Sequence, residues 1–171
     1  MPETIGDMTI RRADVADAQI LLQLIERLNA HLGMQPTGKS TQDMAEAMAR
    51  HGATLFAFIA EIDGNTVGYA LGHDAFTSDV VEWGVYMADL FVDKEHRGKG
   101  IGRALVDCVA SEADKRGATH IFWVSHDANR DAQAVYKAFG AIEEPVRAHA
   151  LIRDAFKEAA ERGGRILVKR P

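Results

Sequence analysis

The sequence predicts a mixed α/β sheet with helices on both faces. Three observations predict it. Apolar residues recur at helical spacing in several separate stretches. Apolar runs of strand length lie between them, two of them joined by an Asp-Gly-Asn turn. The order is antiparallel strands first, then strand-helix-strand-helix, which is the pattern of a mixed sheet.

Each element has its own local cause. A short strand is expected near Thr9 to Arg12. Asp14 then caps a helix on which Ile20, Leu21, Leu24, Ile25 and Leu28 share one face, and Gly33 and Pro36 close it. A second helix runs from about Thr41 to Arg50, with Met44, Ala45 and Met48 on one side. Leu55 to Ile62 is a strand, Asp63-Gly64-Asn65 a hairpin turn, and Thr66 to Gly72 the returning strand. Tyr86 to Val92 is apolar enough to be central. A polar, glycine-rich stretch from Asp93 to Gly102 opens a long helix from about Ile101 to Arg116, ended by Gly117. His120 to Ser125 is a strand, and a helix from Asp131 to Phe139 stops at Gly140. Ala148 to Ile152 is expected as a strand, and Asp154 as the cap of a last helix through Arg162 that Gly163-Gly164 terminates.

Composition narrows the function classes. The 171 residues suit one domain spanning 1–171. With 47% apolar and 26% charged residues, the chain reads as soluble and globular. A net charge of -5 without a basic stripe argues against a nucleic-acid partner and is compatible with a cationic substrate. The one cysteine, Cys108, makes no internal disulfide; its helical setting reads as a small buried hydrophobe, not a nucleophile. The seven histidines show no paired spacing on a helix and no cysteine companions, so no metal site is expected. Neither a signal peptide nor an apolar run of the roughly 20 residues needed to cross a bilayer is visible. A cytoplasmic protein without a membrane partner is expected.

The chemistry is concentrated in the stretch Asp89-Leu90-Phe91-Val92-Asp93-Lys94-Glu95-His96-Arg97-Gly98-Lys99-Gly100-Ile101-Gly102-Arg103. A strand enters a glycine-rich turn, and the turn opens a helix. Such a turn aims backbone N–H groups at one point, and the helix start adds its positive dipole end. Together they suit a pyrophosphate, with Lys99 and Arg103 adding charge. A Walker loop is excluded because Gly100, not serine or threonine, follows Lys99. A dinucleotide fingerprint is excluded because Arg103 stands where its last glycine belongs.

The spacing Arg97-x-x-Gly100-x-Gly102 resembles the pyrophosphate loop of the GNAT family of N-acetyltransferases. About 30 residues on, Asn129, Ala132 and Tyr136 stand as Asn-x-x-Ala-x-x-x-Tyr before Gly140-Ala141, similar to the family's other coenzyme A element. The resemblance covers about Leu55 to Ile152. It implies the acyl-CoA N-acyltransferase fold, with a central, mostly antiparallel sheet and helices on both faces. It also implies acetyl-CoA as cosubstrate, a small-molecule amine as acceptor, and a homodimer. Cofactor-binding residues are then Leu90, Phe91, Val92, Arg97, Gly98, Lys99, Gly100, Ile101, Gly102, Arg103, Asn129 and Ala132. Within the family, Met87 to Val92 looks similar to the diamine (spermidine/spermine) acetyltransferases. That group has Glu-Asp where this chain has Ala88-Asp89, and the glutamate is its presumed general base.

Roles follow from the reaction. A backbone N–H of Leu90 to Val92 can act as oxyanion donor toward the thioester, although those residues also read as an ordinary core strand. Tyr136 is the candidate acid for the departing thiolate; the plain alternative is a ring packed on the sheet. An alkylammonium must lose a proton before attack, and Asp89, Glu82 and a water chain are candidates to take it. Asp89 can instead anchor the substrate ammonium or pair with an arginine. Glu82, placed in an irregular stretch near Trp83, is a second substrate-binding candidate. His126, after the strand, reads as a solvated loop histidine. Ala88 leaves open a catalytically weak acyl-CoA-binding module, and a peptide acceptor is a further alternative.

Overall fold

The computed structural model describes residues 7–166. Two units divide the chain between Asn129 and Arg130. The first holds a five-stranded sheet in the order β1-β2-β3-β4-β5. Its strands are β1 (Met8–Arg12), β2 (Leu55–Ile62), β3 (Asn65–Thr77), β4 (Glu82–Val92) and β5 (Ile121–Phe122). The ladders from β1 to β4 are antiparallel, and β5 joins β4 in parallel. This is the mixed, mostly antiparallel sheet expected.

The hairpin between β2 and β3 pairs Ile62 with Asn65, so Asp63 and Gly64 form a two-residue turn. Both have positive φ (50° and 77°), as a type I′ turn requires. Two helices follow β1. Asp14 and Asp17 form a capping box on a short 3-10 turn that leads into α1 (Ala18–His31). Ser40 and Asp43 form a second capping box at α2 (Thr41–His51). Each cap satisfies helix-end N–H groups and contributes about 1 kcal/mol.

The helices cover opposite faces. Leu21 and Leu24 of α1 pack with Ala57, Ile59, Tyr69 and Phe91, while Met44 and Met48 of α2 close over them. On the other face lies α3 (Ile101–Lys115), where a Cβ built on Gly102 would lie 3.9 Å from the Val92 methyl Cγ2. Phe91 and Val92 are adjacent on one strand, so they point to opposite faces. Arg116, just after α3, binds both Glu112 and Asp74, donates to the Ala53 carbonyl, and stacks its guanidinium 4.5 Å from the Phe56 ring centroid. Arg12 of β1 reaches the same Glu112 at 2.8 Å. One half-buried charge cluster thus ties β1, β3 and α3 together.

Four expectations are corrected. β3 and β4 extend toward their shared hairpin, so Glu82 begins β4 and does not lie in an irregular stretch. The strand expected from His120 to Ser125 shrinks to Ile121–Phe122, because its ladder with β4 is two residue pairs long. The strand expected at Ala148 to Ile152 does not form. Those residues are exposed, and an extended segment without a sheet partner leaves its backbone to water.

The second unit contains α4 (Arg130–Ala138), followed by Gly140 with φ 85°, and α5 (Arg153–Ile166). Here the fourth correction applies: Asp154 lies in the first turn of α5, and the helix continues through Gly163-Gly164. Each interior glycine disfavours a helix by only about 1 kcal/mol, too little to stop one by itself.

Candidate active site

The site is organised by a bulge in β4. Leu71 pairs with Asp89 and Gly72 with Met87, so Ala88 is an extra residue facing no partner in β3. An extra residue reverses the in-out alternation of the strand. Before the bulge, the ring of Tyr86 meets that of His73, its register partner in β3, at 5.4 Å. After it, Asp89 and Phe91 lie on that same sheet face, beside Tyr69. Ala88 itself is exposed.

Beyond the bulge, β4 continues to Val92, whereas its ladder with β5 involves only Val85 and Tyr86. The Asp93 N–H donates to the Val67 carbonyl of β3 at 2.8 Å. Strand alternation then turns the backbone groups of Phe91 toward β3 and those of Leu90 and Val92 away from it. The Phe91 carbonyl confirms this: its oxygen lies 2.6 Å from where a Cβ on Gly68 would sit. Of the three residues assigned to the thioester arm, Leu90 and Val92 face the edge turned from β3.

At the end of β4 the chain makes a 3-10 turn (Lys94–His96) and the glycine loop. Gly98 and Gly100 have φ of 75° and 82°, a conformation that side chains disfavour. Gly100 is the N-cap of α3 and provides no side-chain cap. The first intrahelical bond there runs from Ala104 to the Gly100 carbonyl, so Ile101 and Gly102 have N–H groups without a helical acceptor. No acidic residue occupies the first turn. An uncapped helix start without a neighbouring carboxylate favours an anion. Gly102 differs from Gly100: its backbone is ordinary helix, and its lack of a side chain serves proximity to Val92.

The charged residues of the loop divide their tasks. Arg97 donates from Nε to the Val92 carbonyl at 2.9 Å, tying the loop to the strand end. Arg27 of α1 binds Asp93 at 2.9 Å and holds the same corner from the helix side. Lys99 is half-buried, and Arg103 pairs with Asp107 one helical turn away.

Asp89 accepts a hydrogen bond from the Tyr69 hydroxyl at 2.9 Å. Its partner is therefore a buried phenol, not an arginine. Burial pushes the Asp89 carboxyl above the usual carboxylate range, and the Tyr69 hydroxyl partly offsets this. Glu82 stands seven residues earlier on β4, about 20 Å away at strand rise, and accepts from the Thr119 hydroxyl. The two carboxylates named as substrate-binding candidates thus lie apart on β4. Burial also raises the Cys108 thiol, which suits its reading as a packing residue.

In the second unit, Ala132 and Tyr136 lie one turn apart on α4, both half-buried, and burial raises the Tyr136 phenol. Asn129, the last residue of the first unit, donates its N–H to the His126 carbonyl at 2.8 Å. Tyr69, His73 and Tyr86 are the site-face residues that sequence reasoning missed. The register across β3 and β4 and the bulge that resets it place them, and neither leaves a motif.

Because Asp89 is protonated more readily folded than unfolded, its contribution to stability is largest below the unfolded pKa of about 3.9. It declines as pH rises from there through the folded value. Asp89→Asn is therefore expected to raise Tm at pH 8 and to leave it near wild type at pH 3.5. Thermal melts across pH check this; a lower Tm at pH 8 contradicts it.

No group of three or more His, Cys, Asp or Glu among the described residues is placed to hold a metal ion. No helix among them is long and apolar enough to cross a membrane. Comparison with known proteins supplies the affiliation. The family model described as the acetyltransferase (GNAT) family matches residues 22–141. A D-amino-acid N-acetyltransferase of Saccharomyces cerevisiae is 41% identical over 73 residues, 43% of this chain and 45% of that enzyme. The chain thus spans less than half of that relative's length. A thialysine N-epsilon-acetyltransferase of Bos taurus is 30% identical over 145 residues, 77% of this chain and 82% of that enzyme. An aminoglycoside N-acetyltransferase solved in complex with CoA superposes with a TM-score of 0.70 at 20% identity, covering 90% of this chain and 99% of its own. The uncapped glycine loop after β4 and the family match across it lead to one conclusion: this chain belongs to the acetyltransferase (GNAT) family.

Proposed function

We propose that this chain transfers the acetyl group of acetyl-CoA to the primary amine of a small cationic acceptor such as a polyamine, by direct attack. The observation that carries the reading is the uncapped start of α3 at the end of β4, within a chain of this family. The pyrophosphate lies on the N–H groups of Gly98 to Arg103, with Lys99 and Arg103 adding charge. The pantetheine arm runs along the edge of β4, where Leu90 or Val92 donates to the thioester oxygen. Asn129 and Ala132 complete the cofactor site. The family match runs across the boundary between the two units, which supports reading 1–171 as one catalytic domain.

The acceptor ammonium gives up a proton to Asp89, directly or through water. The freed nitrogen pair attacks the thioester carbon, forming the C–N bond. The tetrahedral intermediate collapses, the C–S bond breaks, and Tyr136 protonates the leaving thiolate, while the extra proton on the new amide nitrogen leaves through water and restores the Tyr136 phenol. The named relatives act on a D-amino acid, thialysine and aminoglycosides, all primary amines. The acidic balance of the chain and Asp89 favour the cationic ones. Glu82 offers a second carboxylate farther along β4. The protein acts in the cytoplasm as a homodimer, following the family's habit.

Ala88 favours a second reading, a catalytically weak acyl-CoA-binding module. Thioester consumption across a panel of amines separates the two: turnover with polyamines or lysine analogues is expected. No turnover with any amine leaves the binding module. An enzyme that acetylates only neutral or anionic amines contradicts the cationic acceptor.

Two substitutions probe the machinery. Gly100→Val places a branched side chain at φ 82° and closes the backbone approach to the pyrophosphate. CoA affinity by isothermal titration is expected to fall at least about tenfold. Unchanged affinity in the folded variant rejects the loop assignment. Tyr136→Phe is expected to lower kcat by roughly 10²–10⁴-fold with CoA affinity nearly constant. Near-normal turnover rejects the acid role.

A further inference from the structure

We infer that Tyr69 is a positioning residue of the reaction, aiming the Asp89 carboxylate through one hydrogen bond. The inference rests on the reading that Asp89 takes the acceptor's proton. Tyr69 is wholly buried, at 0% exposure, within the core formed with Leu21, Leu24, Ile59 and Phe91. Its ring is fixed by that packing and lies 6.3 Å from the Phe91 ring. A phenol so enclosed has one place to send its proton, and it donates to Asp89 Oδ2 at 2.9 Å. Asp89 Oδ1 has no hydrogen bond from the described residues, which leaves it for an ammonium or a water. A carboxylate held at one oxygen and open at the other has the geometry of a proton acceptor.

The surroundings make Tyr69 the decisive partner. From β3, the neighbours on this face are Tyr69 and Leu71; from α2, Met44 and Met48 approach the core. From α1, Leu21, Leu24 and Leu28 approach it, with the His31 ring 6.4 Å from Phe91. The charged residues of that region are engaged elsewhere: Arg27 binds Asp93, and Glu26 accepts from Thr37. No arginine or lysine pairs with Asp89 among the described residues. Burial pushes the carboxyl toward its protonated form, and the Tyr69 hydroxyl opposes it.

The test is the pH profile of kcat/KM with the best acceptor from the amine panel. Its acid limb reports the base in the free enzyme. Tyr69→Phe removes one oxygen and keeps the packing. Its acid limb is expected to move up by about one pH unit, a tenfold loss on that limb, with CoA affinity unchanged. A 3-fluorotyrosine placed at position 69 has a more acidic hydroxyl and donates more strongly, so it is expected to move the limb down. Asp89→Asn is expected to abolish the limb. If Asp89→Asn abolishes it while neither change at Tyr69 moves it, the positioning role is overturned and the reading of Asp89 stands. If the limb survives in Asp89→Asn, the reading of Asp89 fails and the inference falls with it. A purely structural Tyr69 would change Tm and leave the limb where it is.

Discussion

Ala88 is the residue on which the site depends, because it is the one that does not fit. A strand with one extra residue must bend, and its side chains change faces at that point. Without the bulge, Asp89 would follow the alternation of Val85 and Met87, and Tyr69 would have no carboxylate to meet. With it, Tyr86 and Asp89 share a face although they stand three positions apart. The same irregularity marks where β4 and β5 part. They pair at Val85 and Tyr86, before the bulge, and β4 continues past it to Val92. A backbone edge without a ladder partner is an unfavourable place for a protein to leave N–H and C=O groups. In the proposed reading such an edge has a use, because a cosubstrate arm with amides of its own can pair with it.

The rest of the first unit keeps that edge in place. Tyr69, Phe91, Leu21 and Leu24 are almost fully buried, and burying each such side chain contributes roughly 1.5–3 kcal/mol. Gly68 and Gly72 allow β3 to lie close under β4, where a Cβ would meet the Phe91 carbonyl or the Val85 side chain. Two arginines secure the ends. Arg97 fastens the glycine loop to Val92, and Arg27 fastens Asp93 to α1. Each of these contacts is partly exposed and contributes at most about 1 kcal/mol. Their value lies in geometry: they hold the start of α3 against the end of β4.

In the proposed mechanism, catalysis and stability oppose each other at Asp89. A carboxylate in a half-apolar setting destabilises the fold at the pH where it is useful as a proton acceptor. Tyr69 reduces that conflict by donating to the charged form. The hydroxyl is itself buried and requires an acceptor, so each group satisfies the other. The pair is a compromise between a dry core and a reactive surface, located where the two meet.

The sequence by itself determined what depends on neighbours in the chain. The Asp14 cap just ahead of the first helix, the Asp63-Gly64 turn, the strand Leu55 to Ile62 and the loop from Arg97 to Gly102 were legible, because φ preferences, caps and helix dipoles act within a few residues. The failures have the opposite character. Ala148 to Ile152 is exposed and pairs with no strand among the described residues, and His120 to Ser125 has an edge for only two residues. Gly163-Gly164 carries a stop signal too weak to end α5. Only the tertiary structure decided that Asp89 faces Tyr69, 20 residues away in the chain, and that Glu82 lies far from both. Register between strands is set by the packing of whole faces, and one extra residue resets it. No local pattern in β4 records that choice, since Ala88 looks like any other small residue until its partner strand is in place.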